Sequence, residues 1–166
     1  MSFTAMHLYA DDVETGQEWQ SLGRTITEAD IVNFAGLSGD FNPIHLDHEF
    51  ARMTPFHRPI AHGLLVLSMA SGLALYNPPM RTLAFVGIRD WQFRGPVYIG
   101  DTLRVHTKLV EKEVRARGRR AVLTWYRQII NQNGKVVQEG VTQTIVEGRG
   151  ILAPKADGAA ADDGPA

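Results

Sequence analysis

Leu64-Leu65-Val66-Leu67-Ser68-Met69-Ala70-Ser71-Gly72-Leu73-Ala74-Leu75 is apolar or small at every position, and Asn77-Pro78-Pro79 ends it. Proline cannot continue a helix, and it biases the preceding residue away from helical dihedrals. A helix that is apolar all round is buried on every side. At about 1.5 Å per residue the stretch is on the order of 18 Å long, too short for a bilayer and right for a helix wrapped by a curved sheet. Its small residues let strands approach closely.

The strands come after it. Leu83 to Phe93, Thr102 to Val114, Ala121 to Asn131 and Val136 to Glu147 carry β-branched or aromatic residues in partial alternation. Gly100-Asp101, Arg117-Gly118 and Asn133-Gly134 mark the turns between them. The pattern predicts a meander of long antiparallel strands. A helix-rich half followed by a strand-rich half gives an α+β domain, and only the Leu64 to Leu75 helix is apolar enough to fill the sheet's buried face. The expected architecture is a hot-dog fold over residues 1–152, a curled antiparallel sheet around a central buried helix. From Ala153 the chain is rich in Ala, Gly, Asp and Pro, which predicts a disordered tail over residues 153–166.

Upstream, the first dozen residues have no clear period and predict a loosely held arm. Glu18 to Ile26 alternates weakly and reads as a short strand. Thr27-Glu28-Ala29-Asp30 is a capping sequence, with a hydroxyl for a free amide and acids at the positive end of the helix dipole. A helix starts there, carries Ile31, Phe34, Ala35 and Ser38 on one face, and ends at Gly39. Asp47 caps a further short helical turn through Phe50, Ala51 and Arg52.

Composition narrows the function. The 166 residues fit one domain with a substantial core. A formal net charge of -1 gives no reason to expect nucleic acid as a partner. The absence of Cys excludes disulfides, thiolate metal sites and a Cys nucleophile, and suits a reducing compartment. The N-terminal residues lack the pattern of a signal peptide, and no apolar run approaches the roughly 18 residues of a membrane span. The expected location is the cytoplasm.

The chemistry concentrates between the two longer helices. Leu37-Ser38-Gly39-Asp40-Phe41-Asn42-Pro43-Ile44-His45 leads to Arg58-Pro59-Ile60-Ala61-His62-Gly63. Gly39 suits a left-handed helix exit and Asn42-Pro43 a turn, so Asp40 and His45 are expected on a tight loop. A carboxylate and an imidazole so placed can point at one water molecule and share acid and base duties. Gly63 opens the buried helix, where free amides and the positive dipole end coincide and where a missing side chain lets a ligand carbonyl come close. Singly, each residue has a plainer role: Asp40 as a helix-exit residue, His45 as a loop histidine, Gly63 as a close-packing glycine, Ser71 as a small residue on a crowded helix. His62 is expected to pack or bond locally, and His48 and His57 to lie on the surface. Arg115, Arg117, Arg119 and Arg120 read as a solvated hairpin end.

Gly39 to His45 together with Arg58 to Gly63 resembles the hydratase motif of the MaoC-like family, the R-specific enoyl-CoA hydratases and related acyl-thioester dehydratases. Phe93-Arg94-Gly95-Pro96-Val97-Tyr98-Ile99-Gly100-Asp101-Thr102-Leu103 is similar to a strand and turn of that family. The resemblance implies a homodimer that adds water reversibly and syn to a trans-2-enoyl thioester of coenzyme A or acyl carrier protein, giving the (R)-3-hydroxyacyl product. It implies Asp40 and His45 as the catalytic pair, the Gly63 amide as donor to the thioester oxygen, and Ser71 as a supporting hydroxyl. No cofactor or metal is implied. Of the pair, His45 is favoured as base, with Asp40 holding the water.

Two other readings stand beside this one. A hot-dog thioesterase would use a carboxylate on the central helix, and Leu64 to Leu75 has no acid. A noncatalytic acyl-thioester-binding subunit of a heteromeric dehydratase would lack the pair, and this chain keeps both members.

Overall fold

Thr27 starts the first long helix as its side chain dictates. In the computed structural model, which describes residues 7–150, helix α1 spans Glu28–Ser38. The Asp30 amide donates to Thr27 Oγ1 at 3.2 Å, and the Thr27 amide donates to Asp30 Oδ2 at 2.9 Å. Two amides that would otherwise lack partners are thereby satisfied. Ile31 and Ala35 bury the inner face, and Gly39 closes the helix at φ +77°, the left-handed exit that glycine adopts without strain.

Two short helices, α2 (Pro43–Leu46) and α3 (His48–Arg52), follow, then α4 (Gly63–Ala74). Asp47 caps α3 by accepting from the amides of Glu49 and Phe50, as its place in the sequence predicts. The sheet consists of β1 (Glu18–Gln20), β2 (Arg24–Thr25), β3 (Thr82–Phe93), β4 (Thr102–Arg115), β5 (Arg120–Ile130) and β6 (Val136–Glu147). Its order is β1-β4-β5-β6-β3, with β2 also on β4 and every pairing antiparallel. Inward residues of this sheet, among them Leu103, Val105, Ile129 and Val137, meet Leu65, Val66, Met69 and Ala70 of α4 in the main core.

Four expectations are corrected. The four long strands do not run as one meander: β4, β5 and β6 do, but β3 pairs with β6 at the far edge. A consecutive meander would put β3 next to β4, whereas this order leaves β3 on a free edge, beside the open face of α4. The predicted strand from Glu18 to Ile26 is broken in two, because Ser21 exchanges bonds with Val105 through its amide and its hydroxyl.

The predicted loose arm is held down over its described residues. Leu8 exchanges backbone bonds of 2.8 Å with Pro79 and Arg81, and Ala10 and Val13 are buried in a second core with Leu109, Leu123 and Trp125. Backbone pairing and two small apolar side chains suffice here, so the sequence needs no period. Asp12 grips Arg149 through two bonds of 2.6 and 2.8 Å, which brings the two ends of the described chain together. The expected tail over 153–166 lies outside the described residues.

Finally, α4 is not buried on every side. Leu65, Val66, Met69, Ala70 and Ala74 face the sheet, while Leu64 and Leu75 are 61% and 53% exposed. The open face of α4 lies beside β3, whose Leu83, Phe85, Val86 and Ile88 are also exposed. The helix is apolar all round, but one chain covers only one side of it. Among the described residues no helix is long and apolar enough to cross a membrane.

Candidate active site

Asp40 follows the left-handed Gly39 directly, and its Oδ1 accepts from the Asn42 amide at 3.2 Å. Asn42 Oδ1 in turn accepts from the Ile44 amide at 3.1 Å and caps α2, with Pro43 at its first turn. His45 therefore sits on a four-residue helix and not on a loop. The Asn-Pro pair that reads as a turn is equally a helix start, since proline lacks only an amide that the first turn leaves unbonded anyway.

The ring of His45 is held on one side only. Its Nδ1 lies 2.7 Å from the carbonyl oxygen of Ile60. A carbonyl can only accept, so Nδ1 carries the proton and the neutral ring offers its lone pair at Nε2. That Nε2 lies 3.9 Å from Asp40 Oδ2, too long for a direct hydrogen bond and short enough for one water to touch both. His45 is largely buried while the Asp40 side chain is about half exposed. Burial pushes the His45 imidazole below the usual histidine range, and His62 pushes the same way, against the Ile60 bond and the Asp40 charge. The ring is thus neutral near pH 7 and available as a base.

His62 holds the two halves together. It is buried, its Nε2 donates to the Asp40 carbonyl at 2.9 Å, and its ring stacks on His45 with centroids 3.7 Å apart. The expectation that it packs and bonds locally is met, but its partners are the candidate pair itself. Asp40, His45 and His62 offer nitrogen or oxygen atoms within 4.8 Å of one another. The stacked rings keep their lone pairs in nearly parallel planes, which do not meet on one ion at about 2 Å from each, so the cluster suits proton transfer better than metal binding.

Gly63 is the first residue of α4, where amides have no intrahelical partner. A Cβ there would lie 2.7 Å from Phe93 Cε1, so the phenyl ring closes onto the bare backbone. Gln138 Nε2 donates to the Gly63 carbonyl at 2.9 Å and its Oε1 accepts from Trp91 Nε1 at 3.0 Å. His45, Phe56, Ile60, Gly63, Phe93 and Gln138 line one cleft of about 390 Å³. The structure thus gathers Asp40, His45 and Gly63. Ser71 is eight residues further on, about 12 Å along the helix axis, and borders a different cavity.

The sequence reading missed Gln138 and Phe93. A signal for Gln138 exists: from Gln138 on, β6 buries every second residue, so Gln138, Thr142 and Thr144 point inward, a polar row on a core face. Polar side chains on the buried face of a strand mark a site or a network.

A sequence profile described as the MaoC like domain matches residues 12–129. The chain belongs to the MaoC-like domain family. The (R)-specific enoyl-CoA hydratase of Aeromonas caviae is 36% identical over 132 residues, 79% of this chain and 93% of that one. The 3-hydroxybutyryl-CoA dehydratase of Methylorubrum extorquens is 38% identical over 104 residues, 63% of this chain and 65% of that one. Among solved structures, the MaoC-like dehydratase of Rhodospirillum rubrum superposes with a TM-score of 0.76 at 28% identity, covering 86% of this chain and 98% of that one. A Mycobacterium tuberculosis protein with a double hotdog fold gives a TM-score of 0.77 at 20% identity, covering 96% of this chain and 52% of that one, a likeness of fold alone. The MaoC-like chain is α+β with a hot-dog fold, as its sequence predicts. Its family comprises hydro-lyases, hydratases and dehydratases of acyl thioesters.

Proposed function

We propose that this MaoC-like protein adds water reversibly to trans-2-enoyl thioesters, giving (R)-3-hydroxyacyl thioesters, with Asp40 and His45 as the catalytic pair. The observation that carries the reading is the lone pair of His45 Nε2 facing Asp40 Oδ2 across a water-sized gap, in the cleft that Gly63 lines.

In this mechanism Asp40 and His45 hold one water. His45 Nε2 takes a proton as the hydroxide oxygen bonds to Cβ, and the electron pair of the double bond moves toward the thioester oxygen. The amide of Gly63, at the positive end of α4, stabilises the enolate-like charge that develops there. A proton from the same pair then reaches Cα on the face where oxygen was added, so hydrogen and hydroxyl add syn. Oxygen and both protons of the water are accounted for, and the pair returns to its starting state.

We further propose a homodimer. β3 leaves an unpaired edge, and its exposed apolar residues continue onto the open face of α4, a surface suited to a second copy. Relatives are named for coenzyme A and for acyl-carrier-protein substrates, and either carrier fits the reading.

The test is an assay with crotonyl-CoA that follows enoyl absorbance and free thiol together. Loss of enoyl signal without thiol release supports the hydratase. Thiol release would point to a thioesterase, and no change in either signal to a noncatalytic binding subunit.

A further inference from the structure

Four buried side-chain atoms among the described residues have no hydrogen-bond partner. One, His62 Nδ1, belongs to the candidate active site. The other three, Thr107 Oγ1, Arg127 Nε and Thr142 Oγ1, come from β4, β5 and β6. Thr107 and Arg127 are direct neighbours in the register, and Thr142 is one rung away, opposite Trp125. Chance gaps in bonding would be scattered, whereas these lie side by side on the face that turns toward α4.

Arg127 is the unusual member. Leu123, Trp125 and Ile129 are buried around it with the same alternation, so the guanidinium occupies an inward position in an otherwise apolar row. It makes no ion pair among the described residues. Burial lowers its pKa to about 10, which still leaves it cationic at neutral pH. A guanidinium drawn this far out of water, with its Nε buried and no counter-ion, is costly to keep, and a ligand of opposite charge would supply the partner.

The space for that ligand is present. Arg127 borders a chamber of about 350 Å³ and a neighbouring one of about 190 Å³, both also bordered by Ser71 and Phe85, and Thr142 opens into the larger. Trp91 forms a wall of the larger chamber, and its indole is bonded to Gln138, which lines the Asp40–His45 cleft. The chamber and the cleft therefore share this wall along α4. On β5, Arg127 is one inward position beyond Ile129, whose register partner is Gln138. At ~3.3 Å per residue that is roughly 7 Å, a length that a short acyl chain spans.

We infer that the chamber beside Ser71 receives an acyl group ending in a carboxylate, which pairs with Arg127 and accepts from the hydroxyls of Thr107 or Thr142. The substrate class is then the monothioester of a short dicarboxylic acid, unsaturated at the 2-position. The assignment rests on the hydratase reading and adds to it the identity of the acyl chain's far end. Guanidinium and carboxylate match in shape and make paired, charge-assisted bonds, which explains arginine in preference to lysine.

The experiment compares kcat/KM for trans-2-pentenedioyl-CoA with that for trans-2-pentenoyl-CoA, which carries a methyl where the other carries the carboxylate. The wild-type protein should prefer the carboxylate by about tenfold or more, since a site built around a polar group rejects the analogue that lacks it. Arg127→Met should erase the preference, a change of about tenfold or more in the ratio, and Arg127→Lys should retain part of it. Equal use of the two thioesters by the wild-type protein, or better use of the neutral one, overturns the inference and leaves the hydratase reading intact. Hydration of neither overturns both. The wild-type ratio decides the matter even if Arg127→Met does not fold.

Discussion

The imidazoles of His45 and His62 lie face to face, 3.7 Å between centroids and 28° between planes. Burial disfavours a charge on His45, and the neighbouring His62 ring adds to the effect. Base catalysis needs His45 neutral, so activity should fall only as acid protonates it. The acid limb of kcat/KM is therefore expected below the ordinary histidine value of about 6.5, with a plateau at neutral pH. A pH profile measured with crotonyl-CoA checks this, and a limb centred above pH 7 would contradict it.

Removing either member of the pair tests their shared role. His45→Gln and Asp40→Asn are each expected to lower kcat by about 10²–10⁴. Neither change empties the core, so circular dichroism and thermal melting should stay close to wild type. A variant that melts much earlier would assign that residue to holding the bend between α1 and α2.

Gly63 separates packing from chemistry. Gly63→Ala puts a methyl 2.7 Å from the Phe93 ring, and the exposed ring can swing aside. Stability should drop by no more than about 1–3 kcal/mol, while hydration should slow by about 10² because the methyl intrudes where the thioester oxygen must approach. Adding Phe93→Leu relieves the crowding. Recovery of the melting temperature without recovery of rate is the expected result, and recovery of both would make Gly63 a packing residue only.

Gln138 is expected to matter for stability as well as activity. It accepts from the Trp91 indole and donates to the Gly63 carbonyl, so Gln138→Leu leaves the indole N–H unpaired and removes a second bond from that carbonyl. A loss of about 1–3 kcal/mol in urea unfolding is expected, together with a raised KM from a displaced α4 start. An unchanged midpoint would mean that water replaces the amide.

Light scattering should give twice the chain mass of 18.4 kDa at assay concentrations. A fully active monomer would show that one chain closes its own cleft, contrary to the open side of α4.

Features set by neighbouring residues were legible in the sequence. The Thr27 cap, the Gly39 exit and the Asp47 cap each depend on bonds within three or four positions, and each stands where the residue types predict. The position of β3 beyond β6 was not legible, because alternation marks a strand without naming its neighbour. The short helix under His45 is not legible because Asn42-Pro43 serves turns and helix starts equally, and the Ile60 carbonyl that fixes its ring comes from fifteen residues away. The polar inner row of β6 and the inward cation on β5 stayed hidden for a related reason. Which face of a strand is inside is decided by the fold, and until it is known an inward Gln or Arg resembles a solvated one.

The clasp between Asp12 and Arg149 has a practical consequence. It brings the start of the described chain beside the end of β6, far along the chain from the Asp40 bend. Tandem fusion of two copies through a brief connector, or closure of the backbone into a ring with new termini opened in an exposed hairpin such as Ala116–Arg119, would leave the reacting groups untouched.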